Sequence, residues 1–249
     1  GVQTCALPIS FRLLMTILKP ELLAPAGDWP ALVTAIANGA DSVYFGVQGI
    51  NMRHYAANFD PLEIKKVMAY VRQHGRKGYL ALNTMLYQDE LDKARVILRQ
   101  ARAAAVDAVI LWDPAVLGLA RDLGLRVHIS TLAGVANTGA LAHYARLGAE
   151  RVVLARECTL AQIGQIIRQA RAAGIPCEIE AFVHGAMCVS ISGRCFLSLS
   201  AFGTSANKGQ CFQPCRHEYE IRSTTSADTA YILGKDYLLS PRDLCTIDF

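Results

Sequence analysis

Residues 78–113, GYLALNTMLYQDELDKARVILRQARAAAVDAVILWD, contain a complete strand–helix–strand pattern. The apolar runs 78–83 and 108–113 predict two buried strands, and residues 89–105 between them repeat apolar side chains at helical spacing. Two strands separated by a helix run parallel in one sheet, and their crossover is right-handed. This stretch therefore predicts a βαβ unit.

The same alternation continues on both sides of this unit. Further strands are predicted at 21–26, 42–47, 126–131, 151–156 and 177–183, and further helices at 28–38, 60–74, 114–123, 137–147 and 159–173. Most of these helices close on a glycine, as helix C-termini often do: Gly39, Gly75, Gly124, Gly148 and Gly174. No GxGxxG or Walker motif follows the first strand, which disfavours a nucleotide-binding open sheet. We predict an α/β fold, an incomplete (β/α)8 TIM-barrel-like domain with seven strands and the eighth missing.

Composition limits the class of protein. The chain has 249 residues, 52% of them hydrophobic and 18% charged, which suits one large domain with a buried core. The net charge of +4 permits a nucleic-acid partner but does not by itself indicate one. Charged residues interrupt every apolar stretch, so no membrane span is expected. Eight cysteines in a chain of this length indicate a reducing, cytoplasmic location rather than a disulfide framework.

Both ends of the chain look unusual. Residues 1–10, GVQTCALPIS, resemble the in-frame translation of a sequencing adapter, and we expect residues 1–14 to be a non-native or disordered extension before a start at Met15. We expect residues 15–249 to be a barrel fragment, because SPRDLCTIDF (240–249) ends without a recognisable closing element. A barrel that lacks a strand has two open edges, and the fragment is predicted to be poorly soluble.

Polar residues end several predicted strands, where the active site of a barrel lies. Asn83 and Asp113 are examples, although Asp113 followed by proline reads equally well as a helix N-cap. Arg53 and His184 are the strongest candidates for catalysis. Arg53 and Arg156 each follow a predicted strand and could hold a carboxylate or phosphate through two hydrogen bonds.

The alternation breaks after strand seven. Residues 186–240 show no clear helix and are rich in Ser, Gly and Asn, which predicts an irregular insertion on the active-site face. Four cysteines with C-x6-C-x15-C-x3-C spacing fall in it: Cys188, Cys195, Cys211 and Cys215. This spacing suits an iron–sulfur cluster at least as well as zinc, inert or redox-active thiols remain a third possibility, and Cys245 could replace Cys215 as the fourth ligand.

Several segments together resemble peptidase family U32. The resemblance is carried by FVHGAMCVSISGRCFLS (182–198), SANKGQCFQPCR (205–216) and SPRDLC (240–245), and by ELLAPAGDWPALVTAIANGADSVYFGV (21–47), NMRHYAANF (51–59) and LALNTMLYQDEL (80–91) in the barrel half. In place of the family's glutamine after strand five, this chain reads STLAGVAN (130–137).

The resemblance implies an oxygen-independent hydroxylase with a [4Fe-4S] cluster on Cys188, Cys195, Cys211 and Cys215. The implied substrate is a base of tRNA or 23S rRNA, with prephenate as a carboxylate co-substrate that Arg53, Arg156 and Asn83 would hold. His184 would transfer protons or tune the cluster, and the cations Arg194, Lys208, Arg216 and Arg222 would contact RNA phosphates. The electron donor or acceptor is unknown.

Two alternative functions remain open. The family name implies a collagenase-like peptidase, although the chain has no HExxH or GxSxG motif, and a Cys188–His184 pair would require Cys188 to be unligated. The third possibility is a cluster-bearing partner subunit in a hetero-oligomer for anaerobic ubiquinone hydroxylation.

Overall fold

The computed structural model describes residues 19–52, 54–186, 188–217, 219–222, 225, 230–233 and 244–246. The expected N-terminal extension and the candidate Arg53 lie outside these residues.

Seven parallel strands form one sheet, in chain order: β1 (Leu23–Pro25), β2 (Ser42–Gly46), β3 (Lys77–Leu82), β4 (Ala108–Leu111), β5 (Val127–Ile129), β6 (Arg151–Val153) and β7 (Glu178–Glu180). The sheet curls into part of a barrel. The guanidinium of Arg151 on β6 lies 3.2 Å from the carboxylate of Glu21, which lies just before β1, so the two distant strands face each other across the interior. The predicted α/β fold, an incomplete TIM-like barrel, is confirmed.

Six helices connect successive strands: α1 (Trp29–Ala37), α2 (Ile64–Gln73), α3 (Leu91–Ala103), α4 (Pro114–Asp122), α5 (Thr138–Arg146) and α6 (Leu160–Ala172). Several begin where a side chain accepts a backbone N–H, as at Asp28, Asp113, Asn137 and Thr159. The five glycines predicted to end helices all have positive φ, so that expectation is confirmed. No helix among the described residues is long and apolar enough to cross a membrane.

The strands alternate between two environments. Residues such as Val43, Leu80 and Val109 point toward the helices and are fully buried in the main core. The opposite face lines the barrel interior, where Tyr79, Ala108 and Ile110 form a smaller apolar cluster. This division follows from the two-residue period of a strand.

Charged side chains fill the amino-terminal end of the barrel interior. Arg151, whose side chain is only 10% exposed, forms ion pairs with Glu21, Glu178 and Glu180. Burial alone would raise the pKa of Glu21, but hydrogen bonds from Arg151 and its neighbours outweigh burial and hold that pKa well below its usual range. Burial raises the pKa of Glu180, and Arg151 opposes this effect.

The segment after β7 corrects one expectation. A short helix, α7 (Leu197–Phe202), lies in the region predicted to have none. Its six residues are too few to show helical periodicity, and Ser198 within it accepts a hydrogen bond from the N–H of Phe212, a contact that local sequence cannot reveal.

The C-terminal residues form a small sheet apart from the barrel. Strand β11 (Leu244–Thr246) pairs antiparallel with β8 (His184–Ala186) in a two-stranded sheet that is separate from the seven-stranded one. Between them, β9 (Tyr219–Arg222) and β10 (Ala230–Leu233) form an antiparallel hairpin. Local sequence does not reveal this pairing, because β8 and β11 are distant in sequence and each is only three residues long.

Candidate functional site

A cavity opens at the carboxyl ends of β1–β3, the face on which barrel enzymes carry their active sites. The cavity is small, with a volume of about 30 Å³, and the lining includes the carboxamides Asn51, Asn58 and Asn83. The backbone of Gly27 and the end of β2 at Gly46 complete the nearby wall. The polar groups are amides, which both donate and accept hydrogen bonds without carrying charge.

Gly46 permits the close approach of two of these amides. A Cβ added at Gly46 would lie 2.8 Å from Cγ of Asn51 and 3.0 Å from Oδ1 of Asn58. Asn51 is itself almost fully buried, and its amide nitrogen donates to the carbonyl of Val47. The absence of a side chain at the end of β2 therefore leaves the space in which the amides pack.

Asn83 follows β3 and connects it to the loop after β2. Its Oδ1 accepts a hydrogen bond of 3.2 Å from the backbone N–H of Met52. Asn83 thus lines the cavity, as expected for a strand-end residue, and also holds the loop that precedes the candidate Arg53.

The cysteine-bearing insertion lies against the loops on this same face. The hydroxyl of Ser192 accepts from Nη2 of Arg156 at 2.8 Å and from Nε at 3.2 Å, and Nη2 also reaches the carbonyl of Ser190 at 3.4 Å. Arg156, the candidate for a carboxylate, is therefore engaged with the insertion in this structure. This contact ties the insertion to the loop after β6.

A second attachment joins residues 207–209 to the loops after β2 and β3. The carbonyl of Asn207 accepts from the N–H of Met85 at 3.2 Å, and Lys208 pairs with Glu90. Gly209 packs so tightly that a Cβ there would lie 2.3 Å from the backbone oxygen of Asn51. Lys208, expected to contact phosphate, is thus bound to the barrel instead.

The four cysteines of the insertion all carry free thiols. Cys195 donates its N–H to Oδ1 of Asn207 at 3.1 Å, and Ser198 donates to the sulfur of Cys211 at 3.9 Å. Burial raises the pKa of Cys215, and the thiols of Cys188, Cys211 and Cys195 raise it further. Cys188, Cys195 and Cys211 thus lie near enough to Cys215 to disfavour its thiolate.

The structure does not gather these thiols into ligation geometry. Among the described residues, no group of three or more His, Cys, Asp or Glu side chains is arranged to hold a metal ion. The side chain of Cys245, the alternative fourth ligand, lies outside what the structure describes. The choice between Cys215 and Cys245 stays a prediction.

The remaining candidates are dispersed. His184 is exposed on β8, and among the described residues no hydrogen bond joins it to Cys188. Arg194 is exposed on the insertion, Arg216 is half-buried, and the side chain of Arg222 is not described.

Sequence reasoning missed two residues that organise the site, Ser198 and Asn207. Asn51 and Asn58 lie in NMRHYAANF (51–59), a loop on the predicted active-site face, but were not singled out; Gly46 was a further signal, since a glycine that ends an apolar strand indicates a close approach. Ser198 and Asn207 act through contacts across the insertion, for which no local signal exists.

Three relatives were compared with the chain. An uncharacterized protease of Methanocaldococcus jannaschii is 46% identical over 92% of this chain and 56% of its own length. A tRNA hydroxylation protein of Bacillus subtilis is 34% identical over 92% of this chain and 54% of its own length. A 23S rRNA 5-hydroxycytidine synthase of Escherichia coli is 36% identical over 90% of this chain and 33% of its own length. The chain thus spans about half or less of these relatives.

A solved structure and a family model are consistent with these sequence similarities. The U32 peptidase Mk0906 superposes with a TM-score of 0.56 at 17% identity, covering 67% of this chain and 70% of that one, which supports the fold alone. The family model described as peptidase family U32 matches residues 27–249. The chain therefore belongs to peptidase family U32.

Proposed function

We propose that the protein hydroxylates a base of tRNA or rRNA, without using oxygen, at the mouth of the barrel. The observation that carries the proposal is the position of the insertion, whose four free thiols lie on a segment attached to the active-site face at Arg156 and at residues 207–209. The RNA hydroxylation proteins among the relatives support the reaction class.

The donor set fits a thiolate-bound iron–sulfur cluster in its chemistry. Cys188, Cys195, Cys211 and Cys215 would hold it, since all four thiols are free and thiolate sulfur is the ligand that iron–sulfur clusters use. Such a cluster would supply electron transfer. With water as the source of the hydroxyl oxygen, replacing C–H with C–OH releases two protons and two electrons, and a two-electron acceptor would have to take up those electrons. Cys177, by contrast, lies away from this set, and burial first, then Glu178, raises its pKa to about 11.

The protein's own residues would bind and orient the reactants. The amides that line the cavity offer hydrogen bonds to a neutral polar group of the substrate, and Asn83 would orient that group. Arg53 and Arg156 are the proposed partners of a small carboxylate such as prephenate. To bind the carboxylate, Arg156 would have to release its hydrogen bonds to Ser192 and Ser190. Binding would therefore change the contacts that hold the insertion against the barrel.

His184 is the proposed proton-transfer group. It lies on β8, shortly before Cys188 in the chain, and its imidazole is exposed where a bound substrate could reach it.

The test is mass spectrometry of nucleosides from tRNA and rRNA. Cells that lack RNA hydroxylation proteins would express this chain, its Cys215→Ala variant, or a Cys177→Ala control. We expect a hydroxylated pyrimidine with the wild type and the control, and none with Cys215→Ala. Unmodified RNA in every strain, together with cleavage of a collagen peptide that survives iron removal, would favour the peptidase instead. Copurification with an unlike subunit and no modified RNA would favour a partner subunit.

A further inference from the structure

An exposed row of aromatic rings crosses from the loop after β2 onto the insertion. Tyr55 contacts Phe212 with ring centroids 5.1 Å apart, and Phe212 contacts Phe202 at 5.3 Å. His54 and His217 lie at the two ends, 5.3 Å from Tyr55 and 6.2 Å from Phe202. We call Tyr55, Phe212 and Phe202 the aromatic row.

The aromatic row is open to solvent. The three residues are 55%, 45% and 47% exposed, although aromatic rings in mutual contact usually lie in a core. Contiguous exposed apolar surface marks an interaction site more often than a lone exposed ring does. The aromatic row is therefore suited to bind a ligand with flat apolar faces.

Its position points to the substrate of the candidate site. Tyr55 lies in the loop between Asn51 and Asn58, which both line the cavity. Phe212 follows Cys211 directly in the chain, and Phe202 ends α7. A ligand stacked on the row would consequently extend from the mouth of the cavity across the cysteine segment.

The charge around the row suits a polyanion. Residues 188–217 contain no Asp or Glu but include Arg194 and Arg216, and residues 51–59 are likewise free of acids. Unpaired nucleobases stack on aromatic side chains while their phosphates stay near basic groups. An apolar protein surface would match the rings but would gain nothing from this charge.

We infer that the aromatic row is a stacking platform for unpaired nucleotides that flank the modified base. This inference rests on the proposed function, because it requires an RNA substrate. The platform would hold a single-stranded loop while the neighbouring nucleotide lies at the mouth of the amide-lined cavity.

The test measures the binding of the wild-type chain and its variants to a short, fluorescently labelled oligouridine. Phe212→Ala should weaken binding about tenfold, since stacking contributes roughly 1–3 kcal/mol per base. Tyr55→Ala, on an exposed loop, should act in the same direction. Phe196→Ala is the matched control, because Phe196 is the more exposed ring at 66% and stands outside the row. Its affinity should stay within about twofold of wild type.

Two further readouts separate stacking from a structural effect. Phe212→Trp should retain binding, and its tryptophan emission should be quenched when oligouridine is added. The slope of log affinity against log salt concentration should be the same in Phe212→Ala and wild type, because the phosphate contacts remain.

The possible failures are distinguishable. If the wild type binds and hydroxylates RNA but Phe212→Ala and Tyr55→Ala bind equally well, the platform is refuted and the proposed function stands. If the wild type binds no RNA, both fall. If the variants keep RNA binding but lose association with another protein, the row is a protein interface and the inference is wrong.

Discussion

Replacing His128 with leucine should remove much of the protein's sensitivity to mild acid. His128 lies on β5 in the barrel interior and is 3% exposed, and its Nδ1 has no hydrogen-bond partner among the residues that the structure describes. Burial lowers its pKa from 6.5 to about 3, and the nearby charges of Arg151 and Arg126 act in the same direction. The folded protein thus holds this imidazole neutral down to about pH 3.

The sign of the effect follows from which state binds the proton. The unfolded chain protonates His128 near pH 6.5, whereas the folded protein does not until about pH 3. The stabilisation is therefore present above about pH 6.5 and is lost as pH falls toward 3. Between about pH 7 and pH 5 the wild type should lose roughly 2 kcal/mol of unfolding free energy through this group alone.

Urea unfolding at several pH values measures this difference, with the fluorescence of Trp29 and Trp112 as the probe. At neutral pH, His128→Leu should match wild type within about 1.5 kcal/mol, because the volumes are similar. At about pH 5 it should gain roughly 2 kcal/mol relative to wild type. His143→Gln, an exposed control on α5, should keep the wild-type dependence. Parallel curves for His128→Leu and wild type would refute the reasoning.

Three further predictions concern the barrel and its insertion. Arg151→Met should lower the unfolding free energy by about 3 kcal/mol in urea titrations, because it removes the Arg151 ion pairs of the half-buried Glu180 and Glu21 and leaves Glu21 with Lys77; an unchanged midpoint would contradict this. Gly46→Ala should destabilise the protein by about 1–3 kcal/mol and abolish RNA hydroxylation, whereas Gly118→Ala on α4, where a Cβ meets nothing within 4 Å, should stabilise it slightly. Arg156→Ala should speed proteolytic cutting within the insertion without moving the thermal midpoint by more than a few degrees, and equal cutting rates would argue against the anchor.

The barrel was predictable because its signals are local. Apolar runs of two-residue period, helices of 3.6-residue period and closing glycines such as Gly75 and Gly124 each act within a few residues. The ion pair between Arg151 and Glu21 was not predictable, because it depends on how far the sheet curls and joins residues 130 positions apart.

The candidate site was predictable in part. The strand-end position of Asn83 indicated the cavity, but the partners of Arg156 lie 34 and 36 residues further along the chain. The same holds for α7, which is held by a hydrogen bond to Phe212 rather than by its own helical propensity. The functional roles of Arg53, His184 and the four cysteines stay predictions.

The central claim is that the cysteines of the insertion hold an iron–sulfur cluster. The most direct measurement is the iron, sulfide and zinc content of the protein purified without oxygen, with Cys215→Ala and Cys177→Ala beside it. The account predicts about four irons and four sulfides per chain in wild type and Cys177→Ala, and their loss in Cys215→Ala. One zinc per chain without iron, or a full cluster in Cys215→Ala, would contradict it.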